Sequence, residues 1–267
     1  MNELAQHAAA DLEALRAASP LVHNITNYVS MDIAANTLLA VGAPPAMIHA
    51  EEEVVDFVEI ASALVLNIGT LSPSWVRAMH AARARARTRG IPVVLDPVGA
   101  GATPYRTAVA AELLKDGVDV VRGNASEILA LAGAAMGPTR GVDSTHGTEE
   151  ALEAAQVLAR EMGCVVAVTG VVDLVTDGAR RVLVHGGHPL MAKVTAIGCS
   201  ATAVIGACAA VVPDRARAAA SALACFGVAG HRAGEGSAGP ASFRTRFLDA
   251  LYTLSPEELR REARIEA

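Results

Sequence analysis

A short polar stretch, residues 195–200 with the sequence TAIGCS, combines a thiol with the residue types that bind phosphate. It precedes a run of small apolar residues, 201–212, so the sequence predicts a tight turn that leads into a buried helix. The first N–H groups of such a helix have no acceptor within it, and Gly198 allows a ligand to approach closely. Cys199 would stand beside this anion site. An Ala-rich core helix that merely begins with Gly-Cys fits the stretch alone equally well.

The thiol of Cys199 is the candidate reactive group. A free thiol has a pKa of about 8.5, so Cys199 should be mostly protonated at neutral pH. The helix start should lower this pKa, whereas bound phosphates should raise it. We therefore expect Cys199 to be a mediocre base. The other cysteines lack metal-ligand spacing and are expected to be buried and reduced: Cys164, Cys208 and Cys225.

Carboxylates follow two apolar runs that predict buried strands. Asp96 ends the run 93–95, and Glu127 comes shortly after the run 118–121. Open α/β sheets bind ligands at the carboxyl ends of their strands, and Mg²⁺ takes few carboxylates together with several waters. The pair is therefore a candidate Mg²⁺ site. Local roles remain open, because Asp96 could be a turn residue and Asn124 could form a capping box with Glu127.

Further polar residues are expected at the same sheet edge. Arg122, Asn124 and Thr169 each end or follow a predicted strand. Their convergence on the start of the helix after residue 196 predicts a site for the phosphates of a nucleotide.

Two amides and a methionine are candidates for substrate contacts. Asn24 and Asn27 lie at a strand-to-helix junction, where amides can orient a small polar ligand, although at least one of them should cap the helix or close a turn. We take Asn27 as the ligand contact. Met47 follows the rigid Pro44-Pro45 and could line an apolar pocket or fill the core.

The elements that position these residues alternate between strand and helix patterns. They predict a single three-layer α/β domain over residues 1–267, with a mainly parallel sheet flanked by helices. Apolar and polar residues alternate on both sides of Asp177-Gly178, which predicts an antiparallel hairpin at a sheet edge. The remaining expectations are helices over 3–17, 149–162 and 216–229, an exposed excursion over 133–148, a Gly-rich link over 234–243 and a closing helix over 243–254.

Composition excludes several classes of function. The chain has 267 residues, a formal charge of −6 and only 3% aromatic residues, which argues against a nucleic-acid partner. No signal-peptide pattern opens the sequence, and the longest apolar run, 201–212, is shorter than the ~20 residues that span a bilayer. We expect a cytoplasmic protein without a membrane partner.

Several motifs together resemble those of the hydroxyethylthiazole kinase family, and they follow one another along almost the whole chain. They are ITNYV (25–29), GAPPAM (42–47), LDPVGAGAT (95–103), VRGNASEI (121–128), AVTG (167–170), VTAIGCSA (194–201) and FRTRFLDALY (243–252). The resemblance implies the ribokinase-like fold and transfer of the γ-phosphoryl group of ATP to the hydroxyl of 4-methyl-5-(2-hydroxyethyl)thiazole. It also implies a homotrimer with sites between subunits.

The resemblance further implies roles for individual residues. It assigns thiazole contacts to Met47 and Ala196, ATP contacts to Arg122 and Thr169, Mg²⁺ to Asp96 and Glu127, and to Cys199 the position where most ribokinase-like kinases have a catalytic aspartate.

The chain departs from the family pattern at one place. The family usually has T-G-T-G-C where residues 195–199 read TAIGC, and we expect the Ala196 methyl and the branched Ile197 side chain to narrow or stiffen the phosphate site. A non-catalytic thiazole- or nucleotide-binding protein is therefore one alternative. A kinase for another small alcohol, such as hydroxymethylpyrimidine, or a nicotinamide-hydrate dehydratase is another, although both should have aspartate in place of Cys199.

Overall fold

The computed structural model describes residues 2–136 and 147–267. The strands are β1 (Val22–Ile25), β2 (Pro45–Ala46), β3 (Ala63–Asn67), β4 (Val93–Asp96), β5 (Val120–Asn124), β6 (Val165–Thr169), β7 (Val172–Thr176), β8 (Arg181–His185) and β9 (Arg264–Glu266). The α-helices are α1 (Glu3–Ala18), α2 (Met31–Val41), α3 (Val54–Val58), α4 (Pro73–Arg89), α5 (Pro104–Lys115), α6 (Ala125–Met136), α7 (Gly147–Met162), α8 (Ile197–Val211), α9 (Arg215–Gly234), α10 (Pro240–Thr253) and α11 (Pro256–Glu262). A 3₁₀ turn, Pro189–Lys193, precedes α8.

Within the described residues, nine strands form one sheet in the order β2-β1-β3-β4-β5-β6-β7-β8-β9. The strands from β2 to β6 are parallel, and the pairs from β6 to β9 are antiparallel. The carboxyl ends of the parallel strands therefore share one edge of the sheet, where such sheets bind ligands.

Helices cover both faces of the sheet. The successive side chains of β3 show this, because they belong to two different cores. Val65 belongs to a core with α1, α2, α8, α9 and α10, whereas Leu64 and Leu66 belong to a second core with α4, α5, α6 and α7. Successive side chains of a strand point to opposite faces, so a strand buried on both sides is apolar throughout. The expected three-layer α/β architecture is confirmed.

Helix α8 lies almost completely buried against the sheet. Its residues from Ser200 to Ala209 are all buried, and a Cβ atom at Gly206 would approach Val65 Cγ2 to 2.6 Å. Small side chains thus let the helix axis approach the strands closely. The predicted buried helix is confirmed. Its close packing also determines the position of its N-terminus relative to the sheet.

Some expected boundaries were wrong. The excursion expected over 133–148 is partly helical, because α6 continues to Met136 and α7 begins at Gly147; residues 137–146 lie outside the described part of the chain. The Gly-rich link is shorter than expected, since α9 extends through Gly234 and α10 begins at Pro240.

The hairpin of β7 and β8 is present, but it does not form the sheet edge. Residues 264–266 pair with β8 as the antiparallel strand β9 and cover it. This strand is too short to show an alternating pattern in the sequence. Among the described residues, no helix combines the length and apolarity needed to cross a bilayer.

Candidate active site

Four neighbouring parallel strands end in polar residues at the same sheet edge. Asn67 ends β3 and is paired with Asp96, the last residue of β4; Asn124 ends β5 and is paired with Thr169, the last residue of β6. The N-terminus of α8 lies at this edge, because Thr202 in its second turn donates a hydrogen bond to Asp96. The expected convergence of strand ends and helix start is therefore present.

Asp96 is fully buried in the centre of this group. Its Oδ2 atom accepts hydrogen bonds from Asn67 Nδ2 at 2.9 Å and Thr202 Oγ1 at 2.8 Å, while Oδ1 has no partner in the described structure. Burial raises the pKa of Asp96 to about 6, and the nearby Arg122 guanidinium opposes this shift. One carboxylate oxygen is thus held by the protein and the other is left free.

Arg122 reaches across the strand ends to the start of α8. Its Nη2 donates to Thr169 Oγ1, and its Nη1 lies 3.9 Å from Asp96 Oδ2. A Cβ atom at Gly198 would come within 2.6 Å of Arg122 Nη1, so glycine at this position lets the guanidinium lie directly against the helix start. The structure therefore brings together a cation, a hydroxyl and the open N–H groups of a helix start, which is a suitable environment for phosphate.

Cys199 sits in the first turn of α8, next to the amides of two strands. Asn27 Nδ2 lies 3.5 Å from Cys199 Sγ and 2.7 Å from Asn67 Oδ1. Burial raises the pKa of the Cys199 thiol to about 11, and the negative charge of Asp96 adds to the shift. The pKa is not lowered overall, because desolvation and a nearby carboxylate shift it the other way. The thiol is protonated at neutral pH.

Glu127 and Asn124 form the capping box that the sequence left open. Glu127 Oε2 accepts from Asn124 N–H at 2.8 Å, and Asn124 Oδ1 accepts from Glu127 N–H at 2.9 Å. The other Glu127 oxygen accepts from Gly99 N–H in the loop after β4. Both carboxylate oxygens thus already have donors, although the charge of Glu127 is close enough to raise the pKa of Asp96.

Ala196 is the residue before α8 and has a left-handed backbone, with φ of 63°. Such a conformation favours glycine, so the alanine here is strained. Ile197 is only 6% exposed and belongs to the core cluster on the same face of the sheet as α1 and α2, and its expected effect on the phosphate site stays a prediction.

The remaining candidates lie at the same edge but differ in their contacts. Asn27 closes the turn before α2, because its Oδ1 accepts from Ser30 N–H, and its contact with a ligand stays a prediction. Asn24 is a buried structural amide, since its Nδ2 donates to Val22 O within the same strand. Met47 follows β2 at this edge and is partly buried against the core.

The donor set suits a Mg²⁺ ion bound mainly by water and phosphate. Asp96 Oδ1 is a buried carboxylate oxygen without a partner, whereas both oxygens of Glu127 are occupied by backbone N–H groups. Asp96 fits a direct ligand and Glu127 a contact through water. Among the described residues, no cluster of three or more His, Cys, Asp or Glu side chains offers a metal site built by protein alone.

Asn67 and Thr202 belong to the site but were not predicted from the sequence. Asn67 stands at the end of the apolar run ALVLN, and a polar residue at a buried strand's carboxyl end was the available signal. Thr202 has no such signal, because it is one hydroxyl within the small-residue run of α8.

The fold is ribokinase-like. A ribokinase-like superfamily protein from Enterococcus faecalis has a similar structure, with a TM-score of 0.66 over 93% of this chain and 89% of that one, at 12% identity. At that identity the similarity shows the fold alone.

The chain belongs to the hydroxyethylthiazole kinase family, whose model matches residues 12–257. The hydroxyethylthiazole kinase of Desulfotalea psychrophila is 52% identical over 267 residues, which cover 100% of this chain and 97% of that protein. The structure of the hydroxyethylthiazole kinase protein from Pyrococcus horikoshii OT3 has a TM-score of 0.91 at 44% identity and covers 97% of this chain and 98% of that one.

Proposed function

We propose that this chain transfers the γ-phosphoryl group of ATP to the hydroxyl of 4-methyl-5-(2-hydroxyethyl)thiazole, as a step of thiamine biosynthesis or salvage. The observation that carries the proposal is the contact of Arg122 with Gly198 and Thr169 at the open start of α8, within a chain of this family. Phosphoryl transfer asks a protein mainly for positioning and charge stabilisation, and this group supplies both.

The nucleotide side of the reaction belongs to residues at the ends of β5 and β6. Arg122 and Thr169 would bind the ATP phosphates, with Asn124 beside them on the neighbouring strand end. The N–H groups of residues 197–199 have no acceptor within α8, whereas Ser200 N–H already donates to Ala196 O. These free N–H groups would hold the charge that develops on the transferred group, where one such donor is typically worth about 3 kcal/mol.

Asp96 and Glu127 would hold Mg²⁺, the first directly and the second through water. The ion would neutralise charge on the bridging phosphate oxygens. The free Oδ1 atom of Asp96 supports this role, and the two neutral donors on Oδ2 keep the carboxylate oriented.

Cys199 would contact the substrate hydroxyl at the opposite side of the phosphate site. Because the pKa of its thiol is raised to about 11, Cys199 acts by orienting the hydroxyl rather than by removing its proton. The hydroxyl oxygen forms the new bond to the γ-phosphorus as the bond to ADP breaks, and the hydroxyl proton can leave to a product phosphate oxygen or to water afterwards. Asn27, Ala196 and Met47 would line the thiazole side.

The wider biological setting is part of the proposal. A single domain spanning the chain is supported by the one sheet that extends from β2 to β9. Cytoplasmic location is supported by the cysteines, all free, as suits a reducing compartment. A homotrimer with sites between subunits is supported by Tyr28 and Val29, which directly follow Asn27 and are 68% and 57% exposed.

A coupled ADP-release assay over a panel of alcohols tests the proposal. The panel contains the thiazole alcohol, hydroxymethylpyrimidine and pyridoxal, each with ATP and Mg²⁺. We expect the largest kcat/KM for the thiazole alcohol. Thiazole binding without ADP release would support the non-catalytic alternative, and faster turnover of another alcohol would reassign the substrate.

A further inference from the structure

Asn67 lies between the Cys199 thiol and the buried Asp96 carboxylate. It hydrogen-bonds to Asp96 and to Asn27, whose amide lies beside the thiol. It is 1% exposed at the end of β3. Its Oδ1 accepts from Asn27 Nδ2 at 2.7 Å and from Gly69 N–H at 3.0 Å, and its Nδ2 donates to Asp96 Oδ2 at 2.9 Å. Every one of these contacts is to a residue at the sheet edge that forms the site.

The orientation of this amide follows from its neighbours. Gly69 offers a backbone N–H, which can only donate, so the Asn67 atom facing it must be the carbonyl oxygen. The amide nitrogen is then turned toward Asp96. The local backbone thus determines which atom of Asn67 the carboxylate meets.

With the amide in this orientation, the two oxygens of Asp96 differ in their hydrogen-bond partners. Oδ2 accepts from Asn67 and from Thr202, whereas Oδ1 keeps no partner among the described residues. A carboxylate held at one oxygen by two neutral donors cannot rotate without breaking both bonds. Asn67 therefore helps to keep Oδ1 as the oxygen that has no partner among the described residues.

The same amide also fixes the group beside the thiol. Asn27 Nδ2 donates to Asn67 Oδ1 and lies near Cys199 Sγ, so the position of the Asn27 amide depends on Asn67. Asn27 Nδ2 in turn lies 3.5 Å from Cys199 Sγ. One side chain thus connects the substrate side of the site with its cation side.

We propose that Asn67 is a positioning residue for phosphoryl transfer: its carboxamide holds Asp96 Oδ1 free for the cation while it places the Asn27 amide against Cys199. The inference rests on the proposed function, because it assumes that Asp96 takes part in binding Mg²⁺. It adds a residue that touches neither ATP nor the alcohol and acts through Asp96 and Asn27.

The test measures Mn²⁺ binding by electron paramagnetic resonance in the presence of ADP, together with kcat and both KM values. Asn67→Ala should weaken Mn²⁺ binding at least fivefold and lower kcat at least tenfold, with the ATP KM changed less than threefold. Asn67→Asp keeps the shape but places an acceptor against Asp96, so it should weaken Mn²⁺ binding at least as much and remains informative if the alanine variant does not fold.

Asn24→Ala is the matched control, since Asn24 is an equally buried amide of the adjacent strand whose Nδ2 donates to Val22 O within its own strand. It should lower the melting temperature yet leave Mn²⁺ binding and kcat within twofold of wild type. If folded Asn67→Ala or Asn67→Asp shows unchanged Mn²⁺ binding and kcat, the proposed role of Asn67 is wrong. The proposed function is not affected by that result. Wild-type enzyme that binds no Mn²⁺ with ADP would instead overturn the proposed cation site.

Discussion

At the scale of single residues, burial decides the chemistry of Cys199. Isolated from its surroundings, a thiol at a helix start should have a lowered pKa, yet desolvation and the charge of Asp96 raise the pKa of Cys199 to about 11. A sequence shows the helix start but not the depth at which the thiol lies. Cys199 is therefore better suited to orient a hydroxyl than to accept its proton.

The pH dependence of turnover follows from this raised pKa. A thiolate base would make kcat rise about tenfold per pH unit below its pKa. Because Cys199 stays protonated up to about pH 11 and does not act as a base, we expect kcat to be flat between pH 7 and 9, and Cys199→Ala to lower it less than about 10²-fold. Steady-state rates of both enzymes over this range provide the check. A rise of kcat with pH that disappears in Cys199→Ala would restore the base role.

Ala196 carries a backbone strain that glycine would remove. A left-handed conformation costs a non-glycine residue about 1–2 kcal/mol, while glycine loses about 0.4–1 kcal/mol through the unfolded state. We expect Ala196→Gly to raise the free energy of unfolding by about 0.5–1 kcal/mol and to increase kcat/KM, because the N–H groups of α8 can adjust to the phosphate. Urea unfolding and the thiazole assay measure both effects. A less stable and slower variant would show that the left-handed alanine is required.

At the scale of elements, the position of α8 is set by its small residues. Gly206 faces Val65 on β3, and an added Cβ would stand 2.6 Å from Val65 Cγ2. The start of this helix lies at the strand ends only because the rest of it packs this closely. Overpacking at one buried glycine should therefore disturb stability first and the site second.

Substitutions of two helical glycines separate packing from helix propensity. Gly206→Ala should lower the free energy of unfolding by about 1–2 kcal/mol, since overpacking outweighs the gain of about 1 kcal/mol in helix propensity. Gly133→Ala in α6 is the control, because its Cβ would meet no atom of the described residues within 4 Å, and it should stabilise by about 0.5–1 kcal/mol. Urea unfolding compares the two. Equal stabilisation by both would contradict the close contact of α8 with the sheet.

At the scale of the whole molecule, most of the architecture could be predicted from the sequence. The runs that end in Asp96 and Thr169 are apolar enough to predict buried parallel strands, and polar residues at their ends predict a shared site. What could not be predicted depends on distant contacts. Thr202 becomes a site residue only because α8 packs across the strand ends, and the short strand β9 exists only by pairing with β8.

The proposed trimer places the site near a contact between chains. Val29 is 57% exposed and follows Asn27 by two positions, so a charge there should disrupt an apolar contact between subunits. We expect wild type to have the mass of three chains in light scattering after size exclusion. Val29→Asp should have a lower mass and a lower thiazole kcat/KM, while Val171→Asp, at a residue 94% exposed beside β7, should keep the trimer mass. A monomeric wild type with full activity would contradict sites that need a second chain.

The most direct test of the account is the ATP dependence of Arg122→Ala. Arg122 contacts Thr169 and packs on Gly198, so its loss should raise the ATP KM at least tenfold while the thiazole KM and the melting temperature change little. Arg77→Ala, which removes an exposed arginine paired with Glu51, should behave as wild type. An unchanged ATP KM in a folded Arg122→Ala enzyme would contradict the assignment of the ATP phosphates to Arg122 at the start of α8.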